Sequence, residues 1–311
     1  MSSENTPHDD HRTKHIIQSL VVNLIIAVSK AFAAFMTRSG AMLAEAIHSF
    51  ADCANQALLY VGVKQSQRPP DAQHPLGYGR SVYFWSFMVA LLLFSVGGMF
   101  SVYEGLHKYA HPEPVENIAW GVGILIFSLI LEGYATYSNV IEMNKRRGQT
   151  SFFQYLKQTK DSDLVVIFGE NSAAVFGLIL ALIFMLTAYY TNDGRYDAIG
   201  SLLIGLVLIG VAIFLSREVK SLLIGESADP IIEKTAREIA IEHPKIKELI
   251  NCITMQQGPG EVLVCVKIKC EAQLTALDVS QLINEFENML RSKCSEVKWL
   301  YVEPDLQEWV A

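Results

Sequence analysis

AMLAEAIHSFADCANQALLYVGV, residues 41–63, is an apolar run of helix length crossed by a single line of polar side chains. Glu45, His48, Asp52 and Asn55 follow one another at spacings of three, four and three. In a helix they share one face. A bilayer span needs about 20 mostly apolar residues, and a carboxylate at mid-membrane costs roughly 2.5–3.5 kcal/mol on an insertion scale. A stripe placed at that cost marks the functional face of a membrane helix.

The sequence on either side supports a membrane setting. Apolar residues make up 51% of the 311, and the mean hydropathy is +0.26. They cluster into further spans at about 16–36, 82–106, 117–139, 164–189 and 197–215, which with the segment above predicts six. Six spans put both termini on one side. Twelve Lys and Arg fall in the segments on that side, against Arg38, Lys108 and Arg195 opposite, so both termini are expected in the cytoplasm. Residues 1–15 carry Glu4, Asp9 and Asp10 and lack a signal or transit pattern. The expected location is a multi-pass protein of a bacterial inner (cytoplasmic) membrane.

The expected domains are an N-terminal tail (1–15), a six-span bundle (16–216) and a soluble cytoplasmic domain (217–311). Thr37–Gly40 reads as a tight outer turn. Pro69, Pro70 and Pro75 keep the inner loop 65–81 from forming one helix, and 140–162 reads as a long basic inner segment. Beyond Ser216 the pattern predicts a helix from Asp229 to His243, strands at 249–256 and 261–269, a helix over 278–292 and a strand from Val297 to Val302. That αββαβ order indicates a small α+β module. This part holds 16 acidic and 11 basic residues, with no nucleic-acid footprint. Five cysteines without a CxxC pair, four of them in this part, argue against disulfides.

A partner for the stripe is sought in the fifth span, LVVIFGENSAAVFGLILAL, where Glu170 and Asn171 interrupt the apolar run. Lys30 is expected near the outer end of the first span, snorkelling, so the intramembrane acids have no cationic partner. One divalent cation or two protons would neutralise two such carboxylates equally well. Metal ligation needs deprotonated groups, so the two cargoes compete, and metal export can be coupled to proton entry. An imidazole beside carboxylates suits zinc, with manganese, iron, cobalt and nickel as alternatives. Asn23, Glu45 and Glu132 are candidates for a proton path or a polar cavity, with interhelical hydrogen bonding as the plain alternative.

HSFAD (His48–Asp52), HPLGYGR (His74–Arg80), LLIGESADP and the terminal VEP (Val302–Pro304) together resemble the cation diffusion facilitator family of metal/proton antiporters. AEAIHSFADCANQ and the Glu170–Asn171 pair are most similar to the branch containing the animal mitochondrial zinc transporter. The resemblance implies a homodimer working by alternating access, with a metallochaperone-like (ferredoxin-like) cytoplasmic domain. It also implies a tetrahedral site in which His48 and Asp52 join two residues of the fifth span. Here the chain departs from the usual HxxxD: Asn171 stands at the Asp position and Ile167 at the His position, so Glu170 is expected to supply the missing acid. Asp71 and His74 align with a second metal site, but Tyr78 replaces a His there, and a structural turn is the competing reading. The soluble domain lacks the family's histidines, with Tyr301 where one is common. It is therefore expected to dimerise without structural metal, its cysteines serving as buried small residues. His8, His11 and His15, and separately His107 and His111, are minor candidates for metal capture and release.

The expected function is a proton-coupled divalent metal antiporter, with no resident cofactor, no enzyme activity and no nucleic-acid partner. A metal sensor or scaffold without sustained flux is the competing class. A metal-supported hydrolase is a third, unsupported by any nucleophile motif or phosphate loop.

Overall fold

The computed structural model describes residues 7–148, 150–158 and 162–305. The chain divides into two compact units. One comprises residues 1–62, 84–157 and 162–219, and the other 63–83, 158–161 and 220–311.

The first unit is helical. Its elements are α1 (Pro7–Thr37), α2 (Gly40–Ser66), α3 (Ser81–Leu92), α4 (Phe100–Ala110), α5 (Ile118–Arg146), α6 (Phe152–Gln158), α7 (Ser162–Thr191) and α8 (Arg195–Ile224). A π-helical stretch, Leu93–Met99, joins α3 to α4 without a break. Among the described residues four helices are long and apolar enough to cross a membrane: Ser81–Ala110, Ile118–Arg146, Ile167–Thr191 and Arg195–Ile224. Among the described residues α1 contributes only a shorter apolar stretch, Asn23–Thr37. The polar stripe dilutes the hydropathy of α2. The six predicted spans are thus matched by composition for four. The basic inner segment is partly helical, since α5 runs on to Arg146 and α6 follows from Phe152.

Small residues let these helices approach closely. A Cβ added at Gly98 would lie 2.6 Å from Ile209 of α8, and one at Gly205 would lie 2.8 Å from the Val102 amide. The Ser201 hydroxyl donates to the Ser101 carbonyl at 3.0 Å across the same seam. Elsewhere α5 packs on α7 and on α1. The turn between α1 and α2 is as tight as expected, with Arg38 in the left-handed region (φ 54°). The start of α2 is capped from α8: buried Asp197 accepts from the Ser39 hydroxyl and the Gly40 amide, each at 2.5 Å. A carboxylate at that point meets unsatisfied amides and the positive end of the helix.

The second unit contains α9 (Pro230–Glu242), β1 (Ile246–Gly258), β2 (Glu261–Cys270), α10 (Ala276–Lys293) and β3 (Val297–Pro304). The strands lie in the order β1-β2-β3, with β1 antiparallel and β3 parallel to β2. β2 exposes and buries alternate residues, and Val262, Val264, Val266 and Ile268 enter a core with Ile232, Ile239, Leu282, Phe286 and Leu290. The capping signals hold both helices. The Asp229 side chain accepts from the Ile231 amide at 2.9 Å, with Pro230 at the first turn. Thr275 and Asp278 form a reciprocal capping box on α10.

The loop between α2 and α3 also belongs to this unit, although the sequence reading grouped it with the spans. Arg80 Nη2 donates to Met255 Sδ at 2.6 Å. Gly79 lies so close to β1 that an added Cβ would sit 2.7 Å from the Gln257 carbonyl. Cys252, Cys270 and Cys294 are partly buried against the core, and all five cysteines are free thiols. Burial, reinforced by Glu233, pushes the Cys252 thiol up to about 11, which makes it a poor nucleophile near neutral pH.

Candidate metal transport site

The stripe on α2 is real and buried. Glu45, His48 and Asn55 have no exposed surface, and the Asp52 side chain is only 16% exposed. His48 Nδ1 lies 3.5 Å from Asp52 Oδ1, one helical turn away. That contact is too long to be a good hydrogen bond. Both ring nitrogens of His48, Oδ1 of Asp52 and Oδ1 of Asn55 are buried without a hydrogen-bond partner from the protein. Buried polar atoms are paired in the great majority of cases, and an orphan cluster points to a water or an ion.

On α7 Glu170 is buried, and its Oε1 accepts from Asn55 Nδ2 at 2.9 Å. This bond ties α7 to the stripe of α2. Asn171, the next residue, is half-buried, and its backbone carbonyl accepts from Thr136 of α5 at 3.3 Å. Glu170 therefore meets the polar face through Asn55, while the contact of Asn171 is with α5. Ile167 is largely exposed, as an apolar side chain at a lipid-facing position would be. Glu170 and Glu132 of α5 both interact electrostatically with Asp52. Glu132 itself is half-buried, and Asn23 is half-buried on α1. Among the described residues no three His, Cys, Asp or Glu side chains converge closely enough to hold a metal together.

The expectation that the acids have no cationic partner at their depth is corrected. Lys30 has no exposed surface, and its Nζ lies 3.2 Å from Glu45 Oε2 and 2.8 Å from Ser49 Oγ. Its position in α1, seven residues before the helix end, made snorkelling plausible in sequence. The side chain turns inward because Glu45 and Ser49 of α2 offer a charged acceptor and a hydroxyl that an apolar surround cannot. Glu45 is also wedged against α7, where a Cβ on Gly177 would stand 2.1 Å from its Oε1. Asp197 is a polar residue that sequence reasoning missed, and Lys30 is one that it named but pointed outward. The signal available for each was one charged residue in an apolar helix.

Asp71 and His74 are brought together, but by the loop itself. Asp71 Oδ1 accepts from the amides of Gln73 (2.9 Å) and His74 (2.7 Å), and Oδ2 accepts from the Tyr78 hydroxyl at 2.6 Å. The His74 ring lies tilted against Tyr78 with centroids 4.2 Å apart. The Tyr78 hydroxyl, with the His74 amide, holds the Asp71 carboxyl below the usual carboxylate range. At the far end of α4, His107 and His111 are exposed with tilted rings 5.1 Å apart, and Tyr103 stacks on His107 at 6.3 Å. The side chains of His8, His11 and His15 lie outside the described part of the chain.

Residues 16–224 match the family described as the cation efflux transmembrane domain. The chain is 31% identical over 284 residues to a Xenopus laevis protein named proton-coupled zinc antiporter SLC30A9, mitochondrial, covering 89% of this chain and 51% of that one. It is 28% identical over 269 residues to metal tolerance protein C4 of Arabidopsis thaliana, covering 86% and 59%. It is 23% identical over 299 residues to the manganese efflux system protein MneP of Bacillus subtilis, covering 93% and 95%. The chain spans about half the length of the mitochondrial relatives. A solved structure titled MamM-CTD 215-293 aligns with 25% of this chain and 98% of its own, at 12% identity and a TM-score of 0.24. The relatives named here are transporters or metal tolerance proteins, not enzymes. With two thirds of its length matched to the transmembrane domain, this chain is a multi-pass membrane protein that belongs to the cation efflux family.

Proposed function

We propose that the chain is a proton-coupled antiporter that exports a divalent metal, zinc first, by alternating access. The observation that carries this reading is the orphan cluster on α2: both nitrogens of His48 and one oxygen of Asp52 are buried without a hydrogen-bond partner. Such groups suit a cargo that comes and goes. His48 and Asp52 are the α2 ligands in this reading, and Glu170, already linked to the stripe through Asn55, is the acid from α7. Movement of α7 against α2 would complete the shell, with Asn171 as a further oxygen donor. Metal enters only when the carboxylates are deprotonated and leaves as they take up protons, which couples the two flows. Glu132 and Asn23 are the groups best placed to relay those protons.

Imidazole with carboxylates favours zinc over magnesium or calcium and admits manganese, iron, cobalt or nickel. The names of the Xenopus and Bacillus relatives span zinc and manganese. Asp71 and His74 are assigned to the fold of their loop, because both oxygens of Asp71 are occupied by its neighbours. We further propose six spans, with α1 and α2 completing the bundle, and a homodimer joined through the C-terminal unit. The Lys and Arg distribution supports cytoplasmic termini. A bacterial cytoplasmic membrane is part of this proposal, and the support for a bacterial setting is the Bacillus relative, which matches almost end to end.

The test is Zn2+ uptake by vesicles carrying the purified chain, with and without a pH gradient. Sustained flux that follows the gradient is expected. A single round of binding without flux would indicate a sensor and sink the antiport reading.

A further inference from the structure

The Lys30–Glu45 pair is not used by the transport reading above, yet it adjoins the stripe. Glu45 lies one helical turn before His48, and Ser49 is the residue after it. The ammonium of Lys30 is thus held beside the cargo face from a different helix. Its field extends to His48, Asp52 and Glu132 as well as to Glu45. Both members of the pair are fully buried. Replacing such a pair by apolar residues of similar volume is often neutral or stabilising, so its presence is weak evidence of a packing role. Ionisable residues at membrane depth mark function by default.

The charge count shows what the pair can do. An ionised Glu45 would add its negative charge to that of Asp52 on the same face, making a cluster of acids on which Glu132 and Glu170 also act. A cluster that negative binds its cargo tightly and releases it slowly. We propose that Lys30 is a specificity-determining residue of the cargo site, a resident cation that cancels Glu45 and so sets how strongly the His48–Asp52 face holds a divalent ion. This inference rests on the transport reading. It assigns Glu45 to the setting of site charge rather than to the proton path.

Charge setting predicts opposite signs for the two halves of the pair. Lys30→Met removes a positive charge and should tighten Zn2+ binding to the purified full chain by about tenfold or more, while slowing Zn2+ turnover in vesicles. Glu45→Gln leaves the ammonium unopposed and should weaken binding by a similar factor. Lys30→Met with Glu45→Gln restores the charge and should return the affinity to within about threefold of the original. A packing role would instead move both single variants in the same direction. That result, with binding intact in the unaltered chain, overturns this inference alone. Failure of the unaltered chain to bind or move either Zn2+ or Mn2+ would overturn the transport reading and this inference with it. Should Lys30→Met not survive purification, comparison of Glu45→Gln with the double variant decides, since adding Lys30→Met must then raise affinity.

Discussion

Polar groups are placed differently in the two units. In the C-terminal unit the solvent-facing helix caps and the buried His243 have local partners: Asp229 caps α9, Thr275 and Asp278 cap each other, and His243 Nε2 meets Glu285 at 3.1 Å. On α2 both ring nitrogens of His48 and one oxygen of Asp52 are buried without a hydrogen-bond partner. The first arrangement is that of a structure being held together. The second leaves desolvated groups unsatisfied, at a cost that folding alone gives no reason to retain. The contrast within α2 is just as sharp: Glu45 is paired with Lys30 at 3.2 Å, while among the described residues the ion-pair contact of Asp52 is with His48, at 3.5 Å.

The comparison can be broken at four points. Asp52→Ala should abolish zinc flux in vesicles, a loss on the order of a hundredfold, while the chain still elutes as a folded species. Unchanged flux would show that the orphaned acid is only a packing defect. Phe286→Ala, at the centre of the C-terminal core, should cost about 3–5 kcal/mol, read as a lowered unfolding midpoint of that unit. Glu170→Gln should slow flux by about tenfold, and Asn171→Ala should slow it less, because Glu170 is the residue bonded to the stripe. The reverse order would move the α7 ligand to Asn171.

The smallest effect tests the satisfied side. Thr275→Ala should cost about 1 kcal/mol by removing the cap of α10. Its partner Asp278 is held below the usual carboxylate range, chiefly by the Thr275 hydroxyl and then by the Thr275 amide. A depressed folded value means that this contribution is present above the unfolded carboxylate range, near pH 4, and is lost as pH falls through the lower folded value. In acid titrations of the C-terminal unit the original chain should therefore lose stability over that window, and Thr275→Ala should lose less. Equal losses would place the pH sensitivity elsewhere.

Much of the molecule was legible because its signals are local. The αββαβ order of the C-terminal unit follows from alternation, a Pro at the first turn of α9 and Gly-Pro-Gly between two strands. The stripe on α2 follows from spacing alone. Other features required knowing which helix lies beside which. The π-helical stretch at Leu93–Met99 accommodates α8 against Gly98, and that neighbour is invisible in the sequence. The choice between Glu170 and Asn171 was left open by a rotation of about 100° per residue. The hydrogen bond from Asn55, on another helix, to Glu170 is what favours Glu170 in the proposal.

By itself the sequence determined that this is a chain of apolar helices followed by a small α+β unit, and that His48 and Asp52 share a buried face. Periodicity and hydropathy are properties of each segment alone, and they survive any arrangement of the segments. Only the tertiary structure decided the partners: Lys30 for Glu45, Asn55 for Glu170, Asp197 for the first turn of α2, and Met255 for Arg80. Each contact joins residues far apart in the chain. A charge, a hydroxyl or an amide finds its counterpart only when packing removes water and leaves that counterpart within reach.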